Sequence, residues 1–230
     1  MRISSSRPQR PRGFTLIEVA VVLAIISVLA AAAYTISRAQ ARNVQLNQAA
    51  GELQLRAVGL RSKALSDGQD HLLVVVDAPN NDASQCGWSN SAGCARYFIL
   101  YSPLAAWTLS GFDPANPGAN ASVSEIGYLP RGARLYRAAS YHAPPAPFDN
   151  VVVFDSRFYG TCANGASCLA IRFTMSGSVH AEQPAGGTQT AAGLAFVLAS
   201  DAELEGAGGD HRAVAVGFPS GIVKAWPYAP

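Results

Sequence analysis

One apolar run near the start of the chain constrains its fold more than any other feature. Residues 13–36 read GFTLIEVAVVLAIISVLAAAAYTI, with a single charged residue, Glu18. As a helix, residues 14–36 extend about 35 Å, enough to cross a hydrocarbon core of about 30 Å. A carboxylate inside a spanning helix costs roughly 2.5–3.5 kcal/mol and generally has a function. The run predicts a membrane-spanning helix in which Glu18 has a specific task.

The residues before the run predict its orientation. They include Arg2, Arg7, Arg10 and Arg12 and no acidic residue. The positive-inside rule therefore places the N-terminus in the cytoplasm. The alanines at 30–33 could mimic the cleavage site of an ordinary secretory signal, but the run is longer than the usual apolar segment of about 7–15 residues. Its length and its internal carboxylate favour a retained helix.

Beyond residues 1–13, the charge balance is slightly acidic. The rest of the chain carries 15 Asp and Glu against 13 Lys and Arg. The overall excess of basic residues thus comes from residues 1–13, and it does not indicate nucleic-acid binding.

Gly13-Phe-Thr-Leu-Ile-Glu18 resembles the type III signal of type IV pilins and type II secretion pseudopilins. The resemblance implies that a prepilin peptidase cleaves between Gly13 and Phe14 and methylates the new Phe14 amine. Residues 1–13 would then be a discarded cytoplasmic leader. It also implies that Glu18 pairs with the Phe14 amine of a neighbouring subunit during assembly. The implied partners are this peptidase, other pilin-like subunits and an inner-membrane assembly platform.

A helical stripe continues beyond the membrane segment. Small and apolar residues recur at steps of three and four, at Ala39, Leu46, Ala50, Leu53, Ala57, Leu60 and Ala64. The pattern predicts an amphipathic half of the stem over residues 37–66, ended by Asp67 and Gly68. A coiled-coil dimer is an alternative, but the stripe is short and borders a sheet-rich domain, which favours packing within the chain.

Residues 67–230 are expected to form one β-rich globular head. Short runs rich in β-formers predict strands at residues 71–77, 96–101, 151–155, 169–174, 194–199, 211–216 and 221–226. Residues 213–226 read as two strands joined by a tight turn at Ser220 and Gly221. The predicted fold class is α+β, with a long N-terminal helix packed on an antiparallel sheet.

Two close cysteine pairs lie in the head. Cys86 with Cys94 and Cys162 with Cys168 are predicted to form disulfides, which persist outside the cytoplasm, although three connectivities are possible. Neither pair has the short spacer of a zinc site. The acidic cluster at Asp201, Glu203 and Glu205 begins like a calcium loop, but Arg212 occupies the place of the closing carboxylate. We predict neither metal nor cofactor.

Catalytic motifs are missing from the sequence. It contains no GxSxG, HExxH or GxxxxGK[ST], and its four histidines are scattered. The chain is therefore not expected to be an enzyme.

Within the pilin-like group, the C-terminal part resembles H-type minor pseudopilins and FimT-like minor pilins, through residues 173–177, 194–199 and 211–226. Some members bind DNA through a basic turn of the type Gly-Arg-x-Arg. Here Gly221-Ile-Val-Lys224 offers one cation, so nucleic acid is an improbable partner.

The predicted function is therefore a structural minor pseudopilin of a type II secretion system. Its predicted location is the bacterial inner membrane, crossed once with a periplasmic head, and later the pseudopilus or pilus. A minor type IV pilin acting in pilus assembly or DNA uptake is one alternative. A membrane-tethered extracytoplasmic binding module is another.

Overall fold

The computed structural model of the protein describes residues 15–77, 95–103, 107–130, 132–136, 160–163, 165–182, 193–200 and 211–228. Within these ranges, Arg38, Ala39 and Tyr228 are described by their backbone alone.

A single helix, α1, spans Leu16–Asp67 and has 52 residues. It contains no proline, and it ends where the sequence predicts. Gly68 follows with φ of 65° and donates its N–H to the Ala64 carbonyl at 3.2 Å. Glycine adopts this left-handed conformation without the steric penalty that other residues incur, which makes it a common residue after a helix end.

The chain divides into two compact units, residues 1–41 and 42–230. In the second unit, the predicted stripe of α1 is buried at every described position from Leu46 to Ala64. These side chains join a core that includes both sheets of the head. The stripe thus packs within its own chain, and the coiled-coil alternative does not apply to it.

Among the described residues, the larger sheet has six strands, all paired in antiparallel fashion. They are β1 (His71–Asp77), β2 (Ala95–Tyr101), β3 (Ser122–Tyr128), β5 (Gly160–Thr161), β6 (Ser167–Phe173) and β7 (Val179–Glu182). Their order is β3-β2-β1-β6-β5, and β7 also pairs with β6. The central strand β1 is buried from His71 to Val76, which explains why its apolar run does not alternate.

The smaller sheet has four strands in the part of the chain that the structure describes. They are β4 (Ala133–Tyr136), β8 (Gly193–Ser200), β9 (His211–Gly217) and β10 (Val223–Tyr228), in the order β10-β9-β8-β4. A bidentate ion pair connects the two sheets. Arg134 of β4 donates from Nε and Nη2 to the Asp77 carboxylate of β1 at 2.6 and 2.9 Å.

The α+β fold class is confirmed, but the described residues of the head form two sheets rather than one. The sequence also missed four strands, β3, β4, β5 and β7. They carry a weak signal because β4, β5 and β7 have two to four residues, and three of the seven residues of β3 are Ser or Glu. The strand predicted at residues 151–155 lies outside the described residues.

The last hairpin differs from its prediction. β9 ends at Gly217 and β10 begins at Val223, so the connection is longer than a tight turn at Ser220 and Gly221. Gly217 closes it by donating its N–H to the Ile222 carbonyl at 2.8 Å and accepting from Gly221 N–H at 2.8 Å. The connection between β9 and β10 contains a cis peptide bond between Phe218 and Pro219.

Candidate assembly site and processing motif

Thr15 caps the start of α1. Its side-chain oxygen accepts a hydrogen bond from the Glu18 N–H at 3.3 Å. Its carbonyl accepts from the N–H groups of Glu18 at 3.1 Å and Val19 at 3.2 Å. Thr15 thus satisfies donors that lack a partner within the helix. The spacing Thr-x-x-Glu is the sequence signature of a capping box, and it could have been found before the structure was known.

Glu18 lies in the first turn of the helix, where a negative charge interacts favourably with the helix dipole. It is the only charged residue between positions 15 and 37. Its side chain is exposed, as are the apolar side chains around it, including Leu16, Ile17 and Val21. A carboxylate in such apolar surroundings is stabilised when a cation comes close.

The helix around Glu18 is suited to a bilayer. Its most apolar 18-residue window has a mean hydropathy of 2.7, and none of that window is buried within the protein. One helix of the described residues is therefore long and apolar enough to cross a membrane. The predicted cleavage residues Gly13 and Phe14 precede it and lie outside the described residues.

Residues 8–34 match the family described as the prokaryotic N-terminal methylation motif. The match contains Gly13, Phe14 and Glu18. This match supports the resemblance of the chain to type IV pilin-like proteins. The motif indicates a substrate of prepilin peptidase that assembles with pilin-like subunits. Neither a curated protein nor a solved structure matches the chain.

In the head, two glycine turns contact the second half of α1. Gly177 has φ of 82°, and a Cβ there would lie 3.0 Å from a methyl carbon of Leu65. Gly221 has φ of 68°, and a Cβ there would lie 2.7 Å from Arg61 Cδ and 2.8 Å from Val179 Cγ2. Both glycines therefore allow close packing of their turns against neighbouring side chains.

Arg212 also holds the helix to the head. Its guanidinium donates from Nε to Asn47 Oδ1 and from Nη2 to Asn43 Oδ1, both at 2.6 Å. Only 9% of Arg212 is exposed. Arg212 occupies the place of the closing carboxylate in the calcium-loop pattern. In the structure it lies in strand β9 and donates hydrogen bonds to α1.

The remaining predicted site residues are only partly described. Cys162 and Cys168 form a disulfide and are both buried. Cys86 and Cys94 lie outside the described residues, as does the Asp201 to Glu205 cluster. Among the residues that are described, no three His, Cys, Asp or Glu side chains are arranged to hold a metal ion. Lys224 is exposed on β10.

Proposed function

We propose that this chain is a minor pseudopilin of a type II secretion pseudopilus, a structural subunit and not an enzyme. The observation that carries the proposal is Glu18, the one charged residue between positions 15 and 37, in the exposed and membrane-compatible part of α1. After leader removal, the Phe14 amine of a neighbouring subunit would supply the cation. Because removing two charges from water offsets much of their attraction, the pair would select the assembly register more than it strengthens binding.

The proposed mechanism begins in the bacterial inner membrane. The arginine-rich leader keeps the N-terminus in the cytoplasm during insertion, and the head enters the periplasm. The Cys162–Cys168 disulfide supports an oxidising location for the head. Prepilin peptidase removes residues 1–13, and the subunit is stored in the membrane. An assembly platform and its ATPase, which are separate proteins, then extract it into the filament.

The assignment to the H-type group rests on the resemblance in the C-terminal segments. Their turns contact α1 through Gly177 and Gly221. In this proposal the subunit is scarce, and its head contacts neighbouring heads or cargo. The same observations support a minor type IV pilin, which differs in the machine it serves.

Gene deletion and complementation in the source bacterium test the proposal. Exoprotein secretion, pilus-dependent motility and transformation are measured in one strain background. We expect wild-type complementation to restore secretion, whereas Glu18→Leu and the nearly isosteric Glu18→Gln leave it defective. A further variant, Glu18→Gln with Val22→Glu, keeps a carboxylate one turn later. It should also fail if position 18 sets the register.

Controls separate assembly from folding. Each variant should insert, lose its leader and form the head disulfide, while crosslinks to other pilin-like subunits disappear. Full complementation by Glu18→Leu would contradict filament assembly and favour a tethered binding module. Lost motility or transformation with normal secretion would instead identify a minor type IV pilin.

A further inference from the structure

His71 lies where the end of α1 meets the larger sheet. It is the first residue of the central strand β1, and residues 68–70 connect it to the end of α1. Its side chain is 1% exposed, and neither ring nitrogen has a hydrogen-bond partner among the described residues. Leaving buried polar atoms unpaired is costly. The buried position therefore satisfies the imidazole poorly, even when the ring is neutral.

The charged side chains that most influence this ring are Lys63, Asp67 and Asp70. Asp67, in the last turn of α1, has a carboxylate oxygen 3.3 Å from Nε2 of His71, without hydrogen-bond geometry. Lys63 lies one turn earlier, and its positive charge opposes protonation of the ring. Asp70 is already engaged, because Arg172 donates to its carboxylate at 3.2 Å. Asp67 is therefore the carboxylate nearest to hand for a protonated ring.

The strands on either side of β1 place aromatic rings beside His71. Its register partners are Tyr101 of β2 and Phe173 of β6. The ring centroids of Tyr101 and His71 are 6.2 Å apart, and Phe173 is buried in the core. A protonated imidazole has two N–H donors, whereas these neighbours are aromatic. The buried position therefore suits the neutral ring better than the charged one.

A depression open to solvent lies beside His71. Its volume is about 440 Å³, and its lining includes Asp67, Gln69, Tyr101 and Ser124 as well as His71. These neighbours carry carboxylate, amide and hydroxyl groups, which water hydrates well. Rotation of the imidazole into this space would expose both ring nitrogens without separating the strands of the sheet.

We propose that His71 is an acid-sensitive switch that releases the last turn of α1 from the larger sheet. The neutral ring stays buried and holds this turn against the start of β1. When a proton from solvent binds the free ring nitrogen, the charged ring moves into the depression and is hydrated. Because residues 68–70 form the whole connection between α1 and β1, this movement changes their backbone and loosens the turn. The switch lies in the head, and its test is independent of Glu18.

Proton linkage gives the pH range of the switch. Burial, followed by a smaller contribution from Lys63, lowers the pKa of the buried His71 from its usual 6.5. The released ring is hydrated and regains its usual pKa. Opening therefore becomes about tenfold more favourable for each pH unit below 6.5, until the pKa of the buried ring is reached. Above pH 6.5 the turn stays closed.

Hydrogen exchange of the full chain in lipid nanodiscs tests this local release. Mass spectrometry follows exchange between about pH 7.5 and 5.5, with labelling times corrected for the intrinsic effect of pH on amide exchange. We expect peptides covering residues 64–72 to lose protection by about three- to tenfold below pH 6.5, while residues 46–57 and strand β8 keep theirs. Unchanged protection at residues 64–72 overturns the proposal. An equal loss throughout the head also overturns it, because that result would be global unfolding.

His71→Phe tests whether the imidazole is the source of the pH dependence. Phenylalanine fills the buried position with a ring that takes up no proton, so protection of residues 64–72 should no longer depend on pH. His180→Phe is the matched control and should behave like the wild type, since the side chain of His180 is 34% exposed. The same pH dependence in His71→Phe as in the wild type would exclude His71 as the switch.

A measurement on the wild-type ring does not depend on the folding of any variant. Nuclear magnetic resonance of the histidine-labelled chain, with a soluble gadolinium chelate, reports the accessibility of the His71 ring protons. We expect their relaxation enhancement to rise below pH 6.5, together with the exchange of residues 64–72. A ring that takes up its proton without becoming accessible overturns the proposal, because the charged ring would then stay buried beside Asp67.

Discussion

Tyr97 and Gly127 are paired across strands β2 and β3, and the tyrosine ring occupies the space that a side chain at position 127 would need. The Tyr97 hydroxyl lies 2.8 Å from a Glu52 carboxylate oxygen and 3.0 Å from one of Glu125. Burial, followed by the hydrogen bond to Glu52, raises the pKa of Tyr97 well above its usual range. The neutral tyrosine thus links α1 to the edge strand.

Gly127→Ala should destabilise the head, because a Cβ at position 127 would overlap Cζ and Oη of Tyr97. Overpacking of this kind costs about 1–3 kcal/mol. Guanidinium unfolding of the full chain in detergent, followed by circular dichroism, measures the effect. Gly118→Ala is the control, because its Cβ would lie at an ordinary 4.0 Å from Val123. Equal stabilities for the two variants would contradict the close approach of the ring.

Arg134→Leu should lower the unfolding free energy by about 3 kcal/mol, because it leaves Asp77 charged and largely buried without its bidentate partner. The side chains of Arg134 and Asp77 are 8% and 11% exposed. The double variant Asp77→Leu with Arg134→Leu should recover part of this loss, since it also removes the carboxylate that has lost its bidentate partner. A denaturant double-mutant cycle measures the coupling, and additive losses would argue against a direct interaction between the sheets.

Stability should fall as the pH drops below about 6.5, in part because of His71. Burial, with a smaller contribution from Lys63, lowers the pKa of His71 from its usual 6.5. The unfolded chain therefore binds this proton more readily than the folded protein. The stabilising contribution is complete above pH 6.5 and is lost as the pH falls toward the folded pKa.

His71→Gln should flatten this pH dependence between pH 7.5 and 5. Unfolding free energies at several pH values provide the measurement, with His180→Gln as the control for removal of an imidazole. The side chain of His180 is 34% exposed. An unchanged slope in His71→Gln would exclude His71 as its source.

Replacing Cys162 and Cys168 together with alanine should reduce the unfolding free energy by about 2 kcal/mol, because the disulfide restricts the unfolded chain. The bond closes a loop with a sequence separation of six residues. Unfolding of the oxidised wild type and the double variant measures the difference. Alanine avoids leaving a polar hydroxyl in this buried site, and indistinguishable midpoints would refute the prediction.

Much of α1 could be predicted from local patterns. The apolar run with Glu18, the stripe from Leu46 to Ala64 and the stop at Gly68 are all signals carried by neighbouring residues. The strands β1, β8 and β9 also followed from continuous apolar runs. Strand β3 did not, because its exposed face mixes two serines with Ile126 and Tyr128 and so lacks a clear alternation. It gains its structure by pairing with β2.

The side-chain sites show the same division. Thr15 and Glu18 are three residues apart at the start of α1, so the capping contact between them can be predicted from their spacing. Three other sets of contacts join distant parts of the chain. Arg212 contacts Asn43 and Asn47, Tyr97 contacts Glu52 and Glu125, and Gly221 contacts Arg61. The sequence offered no rule to pair them.

The sequence by itself determined the membrane-compatible helix, its buried stripe and the processing motif, because hydrophobic periodicity and a short peptide signal are local properties. Only the tertiary structure decided that the described residues of the head form two sheets, and which glycines lie against neighbouring side chains. These features depend on strand pairing and packing between residues far apart in the chain, and single-sequence patterns do not encode those distances.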